Sequence, residues 1–260
     1  MILRVFVYIV VALMVAPIIV TLPVALTSAG IIRFPPQGLS LQWFIGIFQD
    51  QLLMAAAWRS FLLATLAAGA AVVISIPCAF AIERSRMPGR TAMETLITSP
   101  RTIPQIVLAL GLLIWFETLG MAETFFGLVL AHLVVSVPFA FRTVLVSVSG
   151  LDRRLEWSSA ILGAGPLQTF FRVTAPQIKT GVIAAFIFTF ILSFNNVTLA
   201  LFLSGIGERT LPVEMFQRMY VGGMTPVIPA AAFVLAVVGA VLFVVLDRTI
   251  GVFRYLAGGE

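Results

Sequence analysis

Few side chains in this sequence could do chemistry, and nearly all of them lie in or beside apolar runs. His132 is the only histidine and Cys78 the only cysteine. A hydrolytic triad containing histidine would have to use His132, which stands in an apolar stretch without an evident partner. It reads more readily as a helix-to-helix hydrogen bond than as a ligand or proton carrier. A single cysteine excludes both an internal disulfide and a multi-cysteine metal site. The sequence has no glycine-rich phosphate loop ending in Gly-Lys-Ser/Thr, no His-Glu-x-x-His pair and no Gly-x-Ser-x-Gly elbow. The chain is therefore expected not to be an enzyme and to bind no cofactor or metal of its own.

What remains is recognition chemistry. Ser193, Phe194, Asn195 and Asn196 interrupt a long apolar run, and Arg101 stands between Pro100 and Pro104. Burying an amide without a hydrogen-bond partner costs about 2 to 7 kcal/mol. Adjacent residues point about 100° apart on a helix. One asparagine would thus face a water-filled pathway while the other bonds a neighbouring helix; helix packing alone is the competing reading. Arg101 likewise has two readings, a functional intramembrane charge or a side chain snorkelling to the cytoplasmic interface.

The other polar feature is residues 151–179, LDRRLEWSSAILGAGPLQTFFRVTAPQIK, which carry Asp152, Arg153, Arg154, Glu156, Arg172 and Lys179. One charge at mid-bilayer costs roughly 2.5 to 3.5 kcal/mol, so this segment stays in water. Leu155, Ala160, Ile161 and Leu162 follow helical spacing, Gly163 and Gly165 supply a stop, and Pro166 suits the first turn of a second helix. The spacing predicts helix, glycine turn, helix, with Pro176 marking the start of the next apolar run.

The elements that must hold these residues are membrane spans. Mean hydropathy is +1.10, with 60% hydrophobic and 10% charged residues, whereas soluble chains carry roughly a quarter charged residues. The expected fold is an all-α integral membrane protein of six transmembrane helices with a cytoplasmic hairpin between spans four and five. The spans fall at residues 5–26, 61–82, 96–116, 125–148, 182–203 and 226–246, within one domain covering 1–260. Residues 5–26 suit a retained span better than a cleaved signal, whose apolar core runs about 7 to 15 residues. Ser40 is placed to cap a short helix bearing Trp43, which suits a membrane interface. Pro77 is expected to kink the second span, and Pro100 and Pro104 interrupt the third. Residues 117–123 form a short acidic turn, and residues 205–225 an external loop.

With both termini inside, Arg4, Arg84, Arg86, Arg90, Arg153, Arg154, Arg172, Lys179, Arg248 and Arg254 are cytoplasmic. Only Arg33, Arg59, Arg209 and Arg218 are then external. This asymmetry sets the amino terminus in the cytoplasm. It also accounts for a sequence pI near 10.3 without nucleic-acid binding. The length leaves no room for an ATPase domain, so an energy source would be another chain.

Leu162-Gly163-Ala164, Pro166, Thr169-Phe170, Arg172-Val173-Thr174 and Pro176 resemble the cytoplasmic coupling loop of binding-protein-dependent ABC importer permeases. That family's pattern has a Glu-Ala-Ala triplet before a glycine, then an aliphatic residue and Leu-Pro. Gly163, Val173 and Pro176 fall on it. The triplet falls on Trp157-Ser158-Ser159, with Glu156 one residue early, and Ala175 replaces the leucine. The resemblance implies ATPase-coupling roles for Glu156, Trp157, Ser158, Ser159, Ala160, Gly163, Ala164, Pro166, Phe170, Arg172 and Pro176. Residues 34–44, FPPQGLSLQWF, and the stretches Leu201-Phe202-Leu203-Ser204-Gly205 and Leu211-Pro212-Val213 are similar to the polyamine branch.

In that branch Ser-Phe is often followed by acidic residues, so the resemblance makes Ser193, Phe194, Asn195, Asn196 and Arg101 substrate-pathway candidates. The resemblance implies a polyamine or a related amine or amino-acid-like compound as cargo; here amides replace the carboxylates, which removes the obvious counter-charge for a polycation and leaves a zwitterion or organic anion as the alternative. The implied assembly is a second permease subunit, two ABC ATPase subunits carrying ATP and Mg, and a periplasmic substrate-binding protein, in a bacterial inner membrane. An ATP-independent channel or secondary transporter is the alternative class; paired repeats, common in such proteins, are missing.

Overall fold

The structure is a computed structural model that describes residues 2–84, 88–205, 207–221, 223 and 225–250. Arg86 and Arg254, assigned above to the cytoplasm, lie outside the described residues. Among the described residues the regular secondary structure is all helix, without strands. The backbone divides into two compact units, Met1–Trp58 with Leu211–Leu246, and Arg59–Thr210 with Asp247–Glu260.

The first unit contains α1 (Ile2–Ala25), α2 (Gln42–Gln49), α11 (Leu211–Tyr220) and most of α12 (Val227–Ile250). Residues Arg4–Ala25 form a strongly apolar stretch long enough to cross a membrane, largely unburied until Val24 and Ala25 at its end. The following loop is tied by its side chains: Trp43 Nε1 donates to Thr27 O at 2.8 Å, and Gln42 Nε2 to Ser28 O at 3.1 Å. Ser40 Oγ accepts from Gln42 N at 3.1 Å, although the N-cap residue of α2 is Leu41 rather than Ser40. The segment expected as a loop after residue 205 contains α11. Pro212 in its first turn and the Glu214/Arg218 pair at i,i+4 were the local signals for it.

The second unit contains most of α3 (Gln51–Arg84), then α4 (Arg90–Thr98), α5 (Gln105–Thr118), α6 (Phe125–Ser149), α7 (Arg153–Ile161), α8 (Pro166–Thr169), α9 (Ala175–Phe194) and α10 (Val197–Leu203). At 1.5 Å per residue α3 measures about 50 Å, well beyond the roughly 30 Å hydrocarbon core. Its charged end at Arg84 therefore projects past an apolar span, and Pro77 lies inside the helix without ending it. The expected third span is bent by 100° between Arg90–Thr102 and Gln105–Thr118. The cause is local: Pro100 sits in a 3-10 turn, Ser99–Thr102, and Pro104 is the N-cap of α5.

The core of this unit joins α3, α6 and α9 through Ala71, Ala79, Ala140 and Ala185, with Phe141, Val144, Ile82 and Ile178 filling the space between. Small residues at these positions let helix axes approach closely. Four helices among the described residues are long and apolar enough to span, or five if the bent pair is one. In α12 the apolar stretch Val227–Val241 is shorter.

Candidate functional site

The hairpin begins at Asp152, whose side chain accepts from Arg154 N at 2.9 Å and caps α7. It turns at Gly163, where φ is +86°. Gly163 N donates to Ala160 O at 3.0 Å and Ala164 N to Ser159 O at 3.1 Å. This is a Schellman closure with glycine in the left-handed position. Gly165 then precedes Pro166, which starts the second arm as expected. Ser159 Oγ and Thr169 Oγ1 lie 3.0 Å apart and hold the two arms together.

The second arm is continuous with the transmembrane helix, as Pro166–Phe194 forms one rod. Pro176, expected to mark its start, lies within it. Proline cannot donate to the carbonyl four residues back and crowds it. The backbone responds with a wide turn at Phe170–Thr174, closed by Ala175 N on Phe170 O, so the rod continues.

The hairpin leaves large apolar side chains in the open: Ile161 and Leu162 are each 86% exposed, and Trp157, Leu167 and Phe171 are exposed as well. Beside them lies an open concavity of about 420 Å³ lined by Leu155, Ser158, Ser159, Leu162, Gly163, Ala164, Gln168 and Val173. Ala160, Pro166, Arg172 and Pro176 are exposed, whereas Phe170 is half-buried. Glu156 turns the other way. Its Oε1 accepts from Arg84 Nη2 and from Thr174 Oγ1, each at 2.5 Å. Burial pushes the Glu156 carboxyl up, but the Thr174 hydroxyl and the Arg84 guanidinium outweigh it and hold the group below its ordinary value.

The fifth apolar run is broken at the asparagines. Asn195 ends α9 and its Nδ2 donates to Ile191 O at 3.1 Å, while Asn196 Oδ1 accepts from Leu199 N at 3.0 Å and caps α10. Asn195 is exposed and Asn196 buried. Ser193 Oγ lies 2.8 Å from His132 Nδ1, a buried link between α6 and α9. That link matches the helix-to-helix reading of His132. Phe194 stacks on Phe190 at 5.7 Å. Arg101 is exposed and lies over the Phe139 ring at 4.6 Å from its centroid. The structure thus places Ser193, Phe194, Asn195 and Asn196 at one helix break, with Arg101 engaged separately.

The family described as binding-protein-dependent transport system inner membrane component matches residues 71–254, which include both the hairpin and the break. The chain belongs to this family. As such a component it is a non-catalytic permease subunit of an ABC importer, and ATP hydrolysis resides on a separate chain. Nothing in the match favours an ATP-independent channel or secondary transporter.

This permease is 29% identical over 214 residues to the putrescine transport system permease protein PotI of Escherichia coli (strain K12), covering 80% of the chain and 76% of that protein. It is 28% identical over 214 residues to the spermidine/putrescine transport system permease protein PotC of Haemophilus influenzae, covering 82% of each. Its fold is similar to a chain of a bacterial ABC transporter involved in the import of the acidic polysaccharide alginate, with TM-score 0.74, 15% identity and 95% of each chain covered.

Three relationships were missed by reasoning from the sequence of this permease. Arg84 and Glu156 meet across 72 positions, Asp50 and Arg218 across 168, and Arg142 Nη1 reaches Glu94 Oε1 at 2.8 Å. No sequence spacing announces such pairs; only the presence of opposite charges in or beside the spans hinted at them.

Proposed function

We propose that this permease carries a small polyamine or related amine through a six-span pathway, driven through the hairpin by two ABC ATPase subunits. In this reading the bent pair Arg90–Thr102 and Gln105–Thr118 is one crossing and α12 the last. The whole chain acts as one permease domain with both termini in the cytoplasm, as the arginine asymmetry requires. A second, homologous permease subunit completes the pathway, and a periplasmic substrate-binding protein delivers the cargo.

The observation that carries the reading is the apolar face of the hairpin. Trp157, Ile161, Leu162, Leu167 and Phe171 stand exposed on a segment too charged to enter lipid. An exposed apolar cluster of this kind marks a protein contact. Trp157, Ser158, Ser159, Ala160, Gly163, Ala164, Pro166, Phe170, Arg172 and Pro176 form the ATPase-facing element, and ATP and Mg are held by that partner. When ATP closes the ATPase dimer, the hairpin is dragged with it, and the rod Pro166–Phe194 transmits the displacement to the break at Asn195 and Asn196. These asparagines, with Ser193, Phe194 and Arg101, line or shape the pathway. The amine cargo is supported by the likeness to PotI and PotC.

Two measurements test this. The permease should co-purify with a nucleotide-binding chain, and a cysteine at position 162 should cross-link to that chain; absence of both would remove the hairpin as the contact. Binding by the companion external receptor should favour polyamines over amino acids and organic anions, and the reverse preference would replace the cargo.

A further inference from the structure

We propose that Arg84 is the positioning residue of the hairpin: through Glu156 and Thr174 it fixes both arms to the cytoplasmic end of α3, so that displacement of the hairpin turns α3 together with α9. This rests on the hairpin being the ATPase contact. The one-residue offset of Glu156 from the family's triplet turns its side chain by about 100°. Its carboxylate consequently points inward, where Oε1 is shared by Arg84 of α3 and Thr174 of the wide turn, each at 2.5 Å. Thr174 is only 2% exposed while Arg84 keeps an exposed side chain, so the junction runs from the interior of the hairpin base to its surface.

Arg84 reaches the second arm by another route as well. Its guanidinium lies over the Phe80 ring, 4.5 Å from the centroid, and Phe80 meets Phe170 edge-on at 6.0 Å. One side chain thus donates to the first arm and stacks toward the second. Only a planar guanidinium does both; lysine would keep the charge and lose the stacked face. A further tie runs beside it, from Arg153 Nη2 to the Glu83 carbonyl at 3.4 Å. Both arms of the hairpin are therefore tied to α3, and a push on its tip has two helices to move, α3 and α9.

The test uses the assembled transporter in lipid nanodiscs, with Cys78→Ala as background and spin labels at R154C on α7 and V73C on α3, both exposed positions. The parent should give one narrow distance that is the same without nucleotide and when trapped with ATP and vanadate. Arg84→Ala and Glu156→Ala should broaden it, Arg84→Lys should broaden it partly, and the exchange Arg84→Glu with Glu156→Arg should narrow it part-way, restoring the ion pair without the stack on Phe80. In vesicles, putrescine taken up per ATP hydrolysed should fall at least about tenfold in Arg84→Ala and recover in part in the exchange. A distribution that stays narrow in Arg84→Ala, or a parent distance that changes on trapping, overturns the proposal. A parent that does not move putrescine or lacks an ATPase partner counts against the function proposed above, while the nucleotide-free distances still decide the role of Arg84.

Discussion

Asp50 and Arg218 form a two-point ion pair within the first unit: Arg218 Nη2 donates to Asp50 Oδ1 at 2.9 Å, and Nη1 donates to Oδ2. Arg218 Nε also donates to Glu214 Oε1 at 2.8 Å, and Asp50 Oδ1 accepts from Leu53 N at 3.0 Å. One carboxylate thereby caps the start of α3 and holds α11. The hydrogen bond from Arg218 keeps the Asp50 carboxyl below its ordinary value against the opposing effect of burial, and the same bond raises Arg218.

Asp50→Asn, which keeps an acceptor for Leu53 N, should destabilise the protein by about 1 kcal/mol, and Asp50→Ala by about twice that. Thermal unfolding in detergent should rank them so. Because the folded carboxyl is depressed, its stabilising contribution is complete above the ordinary carboxylate range and is lost as pH falls through the folded value. The difference between parent and Asp50→Asn should accordingly close at strongly acidic pH and persist at pH 7. Equal unfolding of all three proteins at neutral pH would show that the pair carries no stability.

At Gly163 the left-handed backbone costs an ordinary side chain about 1 to 2 kcal/mol, while a Cβ there meets nothing within 4 Å. Steric bulk therefore acts on a partner, not on this chain. Gly163→Asn, which tolerates the conformation, should keep much of the ATP-driven uptake in reconstituted vesicles. Gly163→Leu should abolish it while the protein remains in the membrane. Equal uptake by both variants would separate Gly163 from the ATPase contact.

The two asparagines should separate by function. Asn196→Ala removes the cap of α10 and should cost about 1 kcal/mol, whereas Asn196→Asp keeps the acceptor. Asn195 is exposed and ends α9, so Asn195→Asp should raise uptake of doubly charged putrescine relative to a neutral amino acid. An unaltered selectivity profile would take Asn195 out of the pathway.

Close backbone approaches give a fourth prediction. A Cβ at Gly205 would stand 2.5 Å from Glu123 O, and one at Gly127 would stand 2.2 Å from Met121 O. Alanine at either position must displace main chain and should cost about 1 to 3 kcal/mol. Gly69→Ala, with open space around it and a helical backbone, should instead be neutral or stabilising by up to about 1 kcal/mol. Detergent melting curves of the three variants check the order.

The parts of this fold readable from sequence are those governed by local backbone chemistry. Gly163 and Pro166 announce the turn because one allows positive φ and the other starts a helix, and Pro100 and Pro104 announce the bend. The break at Asn195 was harder to read, since the apolar run continues from residue 182 to 203 while two capping residues sit inside it. The direction of Glu156 was not readable at all. A carboxylate one residue off a familiar pattern signals a rotation, but its partner on α3 is fixed by how helices pack far apart in the chain.

The wide turn at Phe170–Thr174 sets the angular phase of everything beyond it. A rod that reaches from Pro166 to Phe194 has one orientation at its watery end, fixed by Thr174, and another at its lipid-embedded end, fixed by Ser193. Removing a single residue from the regular helix beyond the turn, within Ala175–Phe194, would leave the rod intact yet rotate one end against the other by about 100°. Thr174 could then meet Glu156 only if Ser193 left His132. The length of this helix is thus indexed as tightly as a keyed shaft, and natural insertions or deletions should be absent between its two anchors.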